Sequence, residues 1–286
     1  MWLLFALLNP VVESFRGVYS KKSSKTMHPL IVSLTNNIFP LFFLLPLLFF
    51  VEVNFTERFV LGVVVSGTIN VFAVILFHSS LSKGDISLVM PMLSFTPLFM
   101  LVTSPIFVQE YPSTPGYIGI LLIVIGSYLL NVNYRSASLF APLKSLVVNK
   151  GSRYMLIVAL LWSVSANFDK IAIKESGIIA YLAFVNVVIA AGVTVIALIR
   201  KPFKLKEIES GKTPLFIFGL VATASFLVHS AAIQMASNVS YVIALRRTTG
   251  MISVLLGKWM FQEEQFKDRL LGSAIMFAGI IVIALA

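Results

Sequence analysis

The stretch QEYPSTPGYIGILLIVIG, residues 109–126, has a counterpart 153 residues later in QEEQFKDRLLGSAIMFAG, residues 262–279. Without any gap, Gln-Glu falls on Gln-Glu, and Gly119 and Gly126 fall on Gly272 and Gly279. These identities carry more weight than matches of Leu or Ala, which are frequent by chance in an apolar chain. At the same offset Ser87, Val89, Thr96 and Phe15 match Ser240, Val242, Thr249 and Phe168. The sequence therefore predicts an internal duplication.

The composition is typical of a membrane protein. Of the 286 residues, 58% are hydrophobic and 12% are charged, and the mean hydropathy is +0.94. Soluble proteins contain about 25% charged residues, so the low charge indicates a lipid environment. The absence of cysteine leaves no basis for a disulfide framework, a thiolate metal site or cysteine catalysis. The net charge of +10 occurs in nucleic-acid-binding proteins, but the placement of the basic residues favours a membrane protein without a nucleic acid partner.

Ten apolar segments are long enough to cross a bilayer, which requires about 20 residues in a helix. The first begins at Met1 with no basic residue before it, so we expect a retained helix rather than a signal peptide. The fold class predicted is an all-α membrane protein with ten transmembrane helices. The segments are 2–20, 29–51, 58–82, 85–108, 115–133, 154–172, 178–199, 213–235, 239–261 and 270–285.

The connection 134–153 lies near the middle of the chain and divides it into two parts. We predict a first five-helix repeat at 1–133, a linker at 134–153 and a second five-helix repeat at 154–286. Because five is odd, the second repeat must enter the membrane in the opposite sense, which makes an inverted repeat. Two similar halves of this kind pack in two alternative ways around a central site, and each packing opens the site to one side.

Two motifs resemble the EamA-like transporters of the drug/metabolite transporter superfamily. One is YVIALRRTT at 241–249 followed by Phe261-Gln262-Glu263, and the other is the glycine-containing helix LLGSAIMFAG at 270–279. The resemblance extends over nearly the whole chain and implies ten helices with a substrate cavity between the halves. Members of that family are associated with amino acids, metabolites and drugs. Where the family commonly has Leu-Gly-Glu, this chain has Val108-Gln109-Glu110 and Phe261-Gln262-Glu263.

The basic residues predict the orientation. Lys and Arg concentrate in the connections between predicted helices 1 and 2, 3 and 4, 5 and 6, 7 and 8, and 9 and 10, whereas the other connections contain only Arg58 and Lys174. The positive-inside rule places the basic connections in the cytoplasm and both termini outside. The family resemblance implies both termini inside, and the prediction here follows the charges. The expected location is the plasma (inner) membrane.

Two adjacent arginines in the ninth predicted helix are the first candidates for substrate contact. Arg246 and Arg247 lie about two turns into segment 239–261, at a depth where an unpaired charge costs roughly 2.5–3.5 kcal/mol. An arginine at this depth binds an anionic group such as a carboxylate, or it snorkels to the interface or pairs with an acidic neighbour. Arg246 shares a small and polar helix face with Gly250, Ser253 and Gly257.

Glu13 is the second candidate, since Asn9, Glu13 and Arg16 fall on one face of the first predicted helix. Glu13 either pairs locally with Arg16 or serves in a proton or ion relay. The sixth predicted helix has a matching polar stripe of Ser163, Asn167 and Lys170, with Asp169 beside Lys170. Either both halves present polar faces to one cavity, or Asp169 and Lys170 lie near the membrane surface.

The candidate set for substrate contact is completed by polar residues for which an interhelical hydrogen bond is the simpler role. Glu110 and Glu263 are interpreted as structural turn residues, and the repeated glycines as close-packing sites. The remaining substrate candidates are Asn37, Asn70, His78 and Asn167.

The function predicted is secondary transport of a small polar or amphipathic metabolite, an amino-acid-like or other organic solute, by alternating access across the lipid bilayer. The sequence has no P-loop, so we expect a substrate gradient or a coupling ion, H⁺ or Na⁺, to supply the energy. No cofactor, metal site or enzymatic activity is expected, and the sequence allows a homo-oligomer. Two alternatives stay open: a non-transporting scaffold or partner subunit, and an intramembrane enzyme using His78 and His229 with Glu13 or Asp169.

Overall fold

The computed structural model describes residues 1–24, 29–83, 86–131, 139–200, 212–252 and 270–286. These residues form helices joined by short connections, and none of them lies in a β-strand. The all-α prediction is therefore confirmed for this part of the chain. The helices are α1 (Trp2–Ser24), α2 (Pro29–Ile38), α3 (Leu41–Leu47), α4 (Glu57–Lys83), α5 (Ile86–Val89), α6 (Thr96–Phe107), α7 (Thr114–Asn131), α8 (Ala141–Val148), α9 (Lys150–Arg200), α10 (Lys212–Met235), α11 (Val239–Arg246) and α12 (Leu270–Ala284), with 3₁₀ turns at Leu48–Phe50 and Met90–Phe95.

Six helical stretches in the described part of the chain are long and apolar enough to cross a membrane, and α12 is a shorter apolar helix. Many of their large apolar side chains are exposed, as at Phe49 and Leu198. Exposure on this scale suits contact with lipid better than contact with water. The six stretches are Ile31–Phe50, Glu57–Phe77, Met90–Phe107, Thr114–Asn131, Lys150–Ile199 and Thr213–Met235.

α9 is long enough for two crossings. Its 51 residues would extend about 76 Å as one straight helix, more than twice the bilayer core of about 30 Å. The helix is interrupted at Gly177, where φ is 78° and ψ is 174°. Glycine adopts this conformation without the strain that a Cβ would add. The interruption falls between the predicted segments 154–172 and 178–199.

Two other predicted segments are interrupted near prolines. Segment 29–51 forms α2 and α3, and Pro40 caps the start of α3. Segment 85–108 forms α5, a 3₁₀ turn that contains Pro91, and α6 with Pro97 near its start. Proline lacks the N–H that continues an α-helix, and a 3₁₀ turn absorbs the change of pitch. Both segments therefore contain turns, and the stretches Ile31–Phe50 and Met90–Phe107 within them are still long and apolar enough to cross a membrane.

The chain divides into two compact units, Met1–Val71 with Phe168–Met235 and Phe72–Asn167 with Ala236–Ala286. In the first unit α1 packs along α10, and α2 also contacts α10. In the second unit α7 packs along α12. Each unit combines residues from both halves of the sequence. The units therefore do not correspond to the predicted repeats at 1–133 and 154–286 with a linker at 134–153. That division of the sequence stays a prediction.

Within the second unit α7 and α12 meet at glycines. A Cβ added to Gly126 would lie 2.6 Å from the carbonyl oxygen of Gly272, and a Cβ added to Gly119 would lie 3.0 Å from that of Gly279. Residue number rises along α7 as it falls along α12 at these contacts, so the two helices are antiparallel. The predicted close-packing role of the four repeated glycines is confirmed.

Candidate functional site

Glu13 forms the centre of a polar network on three helices of the first unit. On α1, Arg16 lies one turn after Glu13 and its Nη2 donates a hydrogen bond to Glu13 Oε1. From α10, the hydroxyl of Ser225 donates to Glu13 Oε2 at 2.6 Å. From α2, Asn36 Oδ1 accepts a hydrogen bond from Arg16 Nη1 at 3.0 Å. The expected local pairing of Glu13 with Arg16 is therefore present, and two further helices fix its position.

The surroundings of this network are partly apolar. The guanidinium carbon of Arg16 lies 5.6 Å from the centre of the Phe226 ring, a distance typical of a cation–π contact. Asn9, one turn before Glu13, donates from Nδ2 to the carbonyl of Ser225 at 3.1 Å. Its Oδ1 is buried and has no hydrogen-bond partner among the described residues. The side chains of Arg16 and Glu13 are 20% and 14% exposed, so the ion pair is mostly but not completely enclosed.

A second acidic residue of the first unit has a similar environment. Ser66 on α4 donates its hydroxyl to Asp169 Oδ1 on α9. Asn70 donates from Nδ2 to the carbonyl of Ser66 at 2.9 Å and to its hydroxyl oxygen at 3.3 Å. Lys170, the neighbour of Asp169, is completely buried. The burial of Lys170 agrees with its place on the polar stripe of this helix, and the alternative place of both residues near the membrane surface stays a prediction.

Asn37, the remaining candidate with a described side chain in the first unit, bonds within its own helix. Its Nδ2 donates to the carbonyl of Ser33 at 2.8 Å, and the side chain is buried. Its neighbour Asn36 is the residue that contacts Arg16. The described hydrogen bond of Asn37, the candidate chosen from the sequence, is therefore local. The side chain of His78 lies outside the described residues.

Asn167 joins two helices of the second unit. From α9 its Nδ2 donates to Thr103 Oγ1 on α6 at 3.1 Å and to the carbonyl of Ser163 at 2.8 Å. Thr103 in turn donates to the same carbonyl at 3.3 Å. Asn167 is completely buried, and its Oδ1 has no hydrogen-bond partner in the described part of the chain. The interhelical hydrogen bond that was the simpler prediction is present.

The arginine pair lies where α11 ends. Arg246 is the last residue of α11, and Arg247 follows in a turn, with both side chains half-buried. The backbone N–H of Arg247 donates to the carbonyl of Ala244 at 2.9 Å, and that of Thr248 donates to the carbonyl of Leu245 at 3.0 Å. Carbonyl groups at a helix C-terminus attract positive charge, so both arginines lie near a favourable backbone potential. The chain is helical again from Thr249 to Ile252, after a turn at Arg247 and Thr248, and the rest of the predicted segment 239–261 lies outside the described residues. Ser253 and Gly257, which were expected on the Arg246 face, lie outside the described residues.

Glu110 has the structural role expected of it. Its Oε2 accepts the backbone N–H of Val239, the first residue of α11, at 2.9 Å. Tyr241 on the same helix accepts the backbone N–H of Ser113 through its hydroxyl at 2.9 Å. The turn after α6 therefore holds the start of α11, where an acidic side chain is favoured. Glu263 lies outside the described residues.

Within the first unit, Glu13, Asn37 and Asn70 belong to three separate contacts, and Asn167 and the arginine pair belong to the second unit. Asp169 was considered from the sequence only for the alternative of an intramembrane enzyme, and its donor Ser66 was not identified. The described residues include no group of three or more His, Asp or Glu side chains placed to hold a metal ion.

Comparison with known proteins identifies the family. The model of the EamA-like transporter family matches residues 1–132 and 149–285. An uncharacterized protein of Methanocaldococcus jannaschii is 34% identical over 70 residues, which are 24% of this chain and 51% of that protein. A solved crystal structure covers 99% of this chain and 97% of its own with a TM-score of 0.78 at 14% identity, which shows a shared fold. Since the family match extends over nearly the whole chain, this protein belongs to the EamA-like transporter family, within the drug/metabolite transporter superfamily.

Proposed function

We propose that this protein is a secondary transporter that moves a small polar or amphipathic metabolite by alternating access. The observation that carries the proposal is the Glu13–Arg16 ion pair, held by Ser225 and Asn36 among apolar helices of a transporter-family chain. Ionisable residues in membrane-spanning helices are costly and usually mark a substrate or ion pathway. A carboxylate and a guanidinium that are already paired can exchange partners with a charged or zwitterionic solute without leaving either charge alone.

Many transporters that work by alternating access are built from inverted repeats, and the α7–α12 contact supports such a repeat here. The offset of 153 residues carries Gly119 onto Gly272 and Gly126 onto Gly279. Applying the offset to both helices therefore turns the contact between Gly119 and Gly279 into the contact between Gly272 and Gly126, so the pair of contacts maps onto itself. Two antiparallel helices whose contacts exchange in this way are related by a two-fold axis perpendicular to them. For membrane-spanning helices such an axis lies in the membrane plane, as in inverted repeats. The family match in two segments, 1–132 and 149–285, agrees with this duplication.

The two acidic contacts of the first unit follow the same relation between helices. Glu13, on the first of the ten proposed helices, accepts the hydroxyl of Ser225 on the eighth. Asp169, on the sixth, accepts the hydroxyl of Ser66 on the third. In two repeats of five helices, the first helix is equivalent to the sixth and the third is equivalent to the eighth. The positions differ by one or two turns, so the likeness is one of helix pairs rather than of aligned residues.

The proposal also gives roles to the other candidate residues, and each role can be tested. Arg246 and Arg247 would attract an anionic group of the substrate, and H⁺ or Na⁺ would be the coupling ion. Asn37, Asn70, His78 and Asn167 stay candidates for substrate contact. A membrane location at the plasma (inner) membrane and a homo-oligomeric state are part of the same proposal.

Transport by the purified protein in lipid vesicles tests the proposal. Uptake of a panel of amino acids, nucleosides and organic acids should identify a solute that accumulates faster than in protein-free vesicles. Glu13→Gln should abolish that uptake. Glu175→Gln is a matched control, because Glu175 also accepts a hydroxyl hydrogen bond, from Thr56 at 2.7 Å, but in an exposed contact. Uptake that is unaffected by Glu13→Gln would remove the ion pair from the mechanism. A folded protein that transports nothing in the panel, as influx or as exchange, would favour the non-transporting scaffold.

A further inference from the structure

The short helix α8, in the second unit, has an inner face that packs on the protein. Pro142 and Ser145 are buried, and Leu146 packs against the cluster formed by Met155, Val158 and neighbouring buried residues. The hydroxyl oxygens of Ser145 and Ser152 lie 2.6 Å apart. Just before the helix, the hydroxyl of Tyr128 donates to the carbonyl of Leu139 at 2.8 Å. These contacts hold α8 in a defined position against α7 and the start of α9.

The outer side of α8 and its ends is apolar. Phe140 is 63% exposed, Val147 82% and Val148 85%, and Leu139 and Leu143 are also exposed. A contiguous apolar surface is unfavourable in water and marks a contact with a partner or a membrane. Val147 and Val148 therefore remain largely exposed among the described residues, although the inner face of the helix is packed.

Exposed basic residues surround this apolar surface. Lys144 lies on α8, and Lys150 and Arg153 lie at the start of α9, all of them exposed. Lys83, at the end of α4, joins them, because its Nζ lies 5.0 Å from the centre of the Tyr154 ring. The chain between Glu110 and Asp169 contains no acidic residue. This combination of cations and apolar side chains complements an anionic membrane surface better than it complements a protein, whose contact surfaces are depleted in lysine.

The position of α8 along the chain agrees with a membrane surface. α7 ends at Asn131 and α9 begins at Lys150, and both contain apolar stretches long enough to cross a bilayer. The end of α4 is at the same place, since Ser80 donates its hydroxyl to the carbonyl of Gly151 at 2.7 Å. Three membrane-crossing stretches therefore have their ends beside α8.

We propose that α8 is an interfacial helix that binds anionic phospholipid. Phe140, Val147 and Val148 enter the boundary between headgroups and acyl chains, and Lys144, Lys150 and Arg153 contact lipid phosphates. The contact holds the ends of α4, α7 and α9 at the membrane surface. The proposal concerns a site apart from the Glu13 network and does not depend on which solute is transported.

A fluorescent label on an introduced cysteine tests the contact, because the chain has no native cysteine. The full-length Val148→Cys protein is labelled with an environment-sensitive dye and reconstituted without other proteins into vesicles of phosphatidylcholine and phosphatidylglycerol. Acrylamide reports contact with water, and lipids with a quencher on the acyl chain report contact with the bilayer. The same label at Tyr111→Cys, an exposed position in the turn after α6, is the reference for a water-exposed site.

The expected result is that lipid quenchers reach the Val148 label while acrylamide is excluded from it. Quencher-bearing phosphatidylglycerol should quench the label about two- to five-fold more strongly than quencher-bearing phosphatidylcholine. Lys144→Gln with Arg153→Gln should remove this preference. Arg58→Gln with Lys174→Gln removes the same charge at other exposed positions and should leave the preference intact.

Three results would overturn the proposal. Acrylamide quenching equal to that of the Tyr111 label would show that the surface faces water and is reserved for a protein partner. A preference that survives Lys144→Gln with Arg153→Gln would show that these cations do not bind the lipid. Loss of the preference on adding about 10 mM inorganic phosphate would indicate a site for small anions instead, because soluble phosphate screens lipid contacts only weakly at constant ionic strength.

Discussion

At the scale of single residues, the charges of α1 are compensated before any ligand binds. Glu13 accepts hydrogen bonds from Arg16 and Ser225, and Arg16 donates another to Asn36. An uncompensated charge inside a membrane costs several kcal/mol, and removing one partner of an enclosed pair leaves the other in that state. The pair therefore contributes to the packing of α1, and it also offers a carboxylate and a guanidinium that a charged solute can bind.

A double-mutant cycle separates these two roles. Glu13→Gln and Arg16→Gln should each lower the free energy of unfolding by about 1–3 kcal/mol, because each leaves one charge without its partner. The double variant should recover part of this loss, since neither charge remains. Thermal unfolding in detergent measures the stability, and uptake in vesicles measures the function. If the double variant is as stable as the native protein but transports nothing, the charges serve transport. Strictly additive losses of stability would show that the two residues do not interact.

The arginine pair gives a second test at this scale. If Arg246 or Arg247 binds an anionic solute, its replacement by Gln should abolish binding while the protein remains monodisperse in detergent. Replacement by Lys should restore binding only in part, because Lys keeps the charge but loses the bidentate geometry of the guanidinium. Arg58→Gln, at an exposed position near the start of α4, is the control. Normal solute binding by both Gln variants would exclude the pair from the pathway.

At the scale of helices, the contact between α7 and α12 in the second unit depends on glycines, which have no side chain. The carbonyl oxygens of Gly272 and Gly279 occupy the space that a Cβ on Gly126 or Gly119 would need. Without a hydrophobic driving force between helices in lipid, close approach of small residues supplies the attraction. The same four glycines produced the repeat in the sequence, so the signal for duplication and the signal for packing have one physical cause.

Replacing one of these glycines should separate α7 from α12. Gly126→Ala puts a methyl group 2.6 Å from a backbone oxygen, and overpacking of this kind costs about 1–3 kcal/mol. Gly17→Ala is the matched control, because a Cβ at Gly17 meets nothing within 4 Å on a helix, and alanine favours a helix by up to about 1 kcal/mol over glycine. Thermal unfolding should show a lower midpoint for the first variant and an equal or higher midpoint for the second. The opposite order would contradict the close contact.

At the scale of the molecule, the sequence was informative about where helices lie and less informative about what they touch. Apolar length is counted along the chain, so the positions of the membrane-crossing stretches could be predicted. The interruptions at Gly177 and at Arg246 depend on local backbone conformation, which hydropathy does not report. The donors to the two acidic residues come from distant positions: Ser225 is 212 residues from Glu13, and Ser66 is 103 residues from Asp169. A serine gives no periodic signal of its own, so neither pairing could be predicted.

The inverted repeat makes a prediction about the whole molecule that matched positions can test. Lys83 and Ser237 occupy nearly equivalent places in the two repeats, each just before the fourth helix, and both are exposed. In an inverted repeat they must lie on opposite sides of the membrane. The distribution of basic residues predicts that Lys83 lies in the cytoplasm and that Ser237 and Tyr111 lie outside.

Single cysteines at these three positions and an impermeant thiol reagent report the arrangement directly in intact cells. Ser237→Cys and Tyr111→Cys should react from outside, and Lys83→Cys should react only after the membrane is permeabilised. Exposed positions are needed, because the serines of two other basic stretches, Ser23 and Ser145, are buried and would resist the reagent on either side. The exact reverse of this pattern would show that the charge-based orientation is wrong while the inversion holds. Labelling of Lys83→Cys and Ser237→Cys from the same side would show that the two halves are not inverted, because equivalent positions in an inverted repeat cannot share a side.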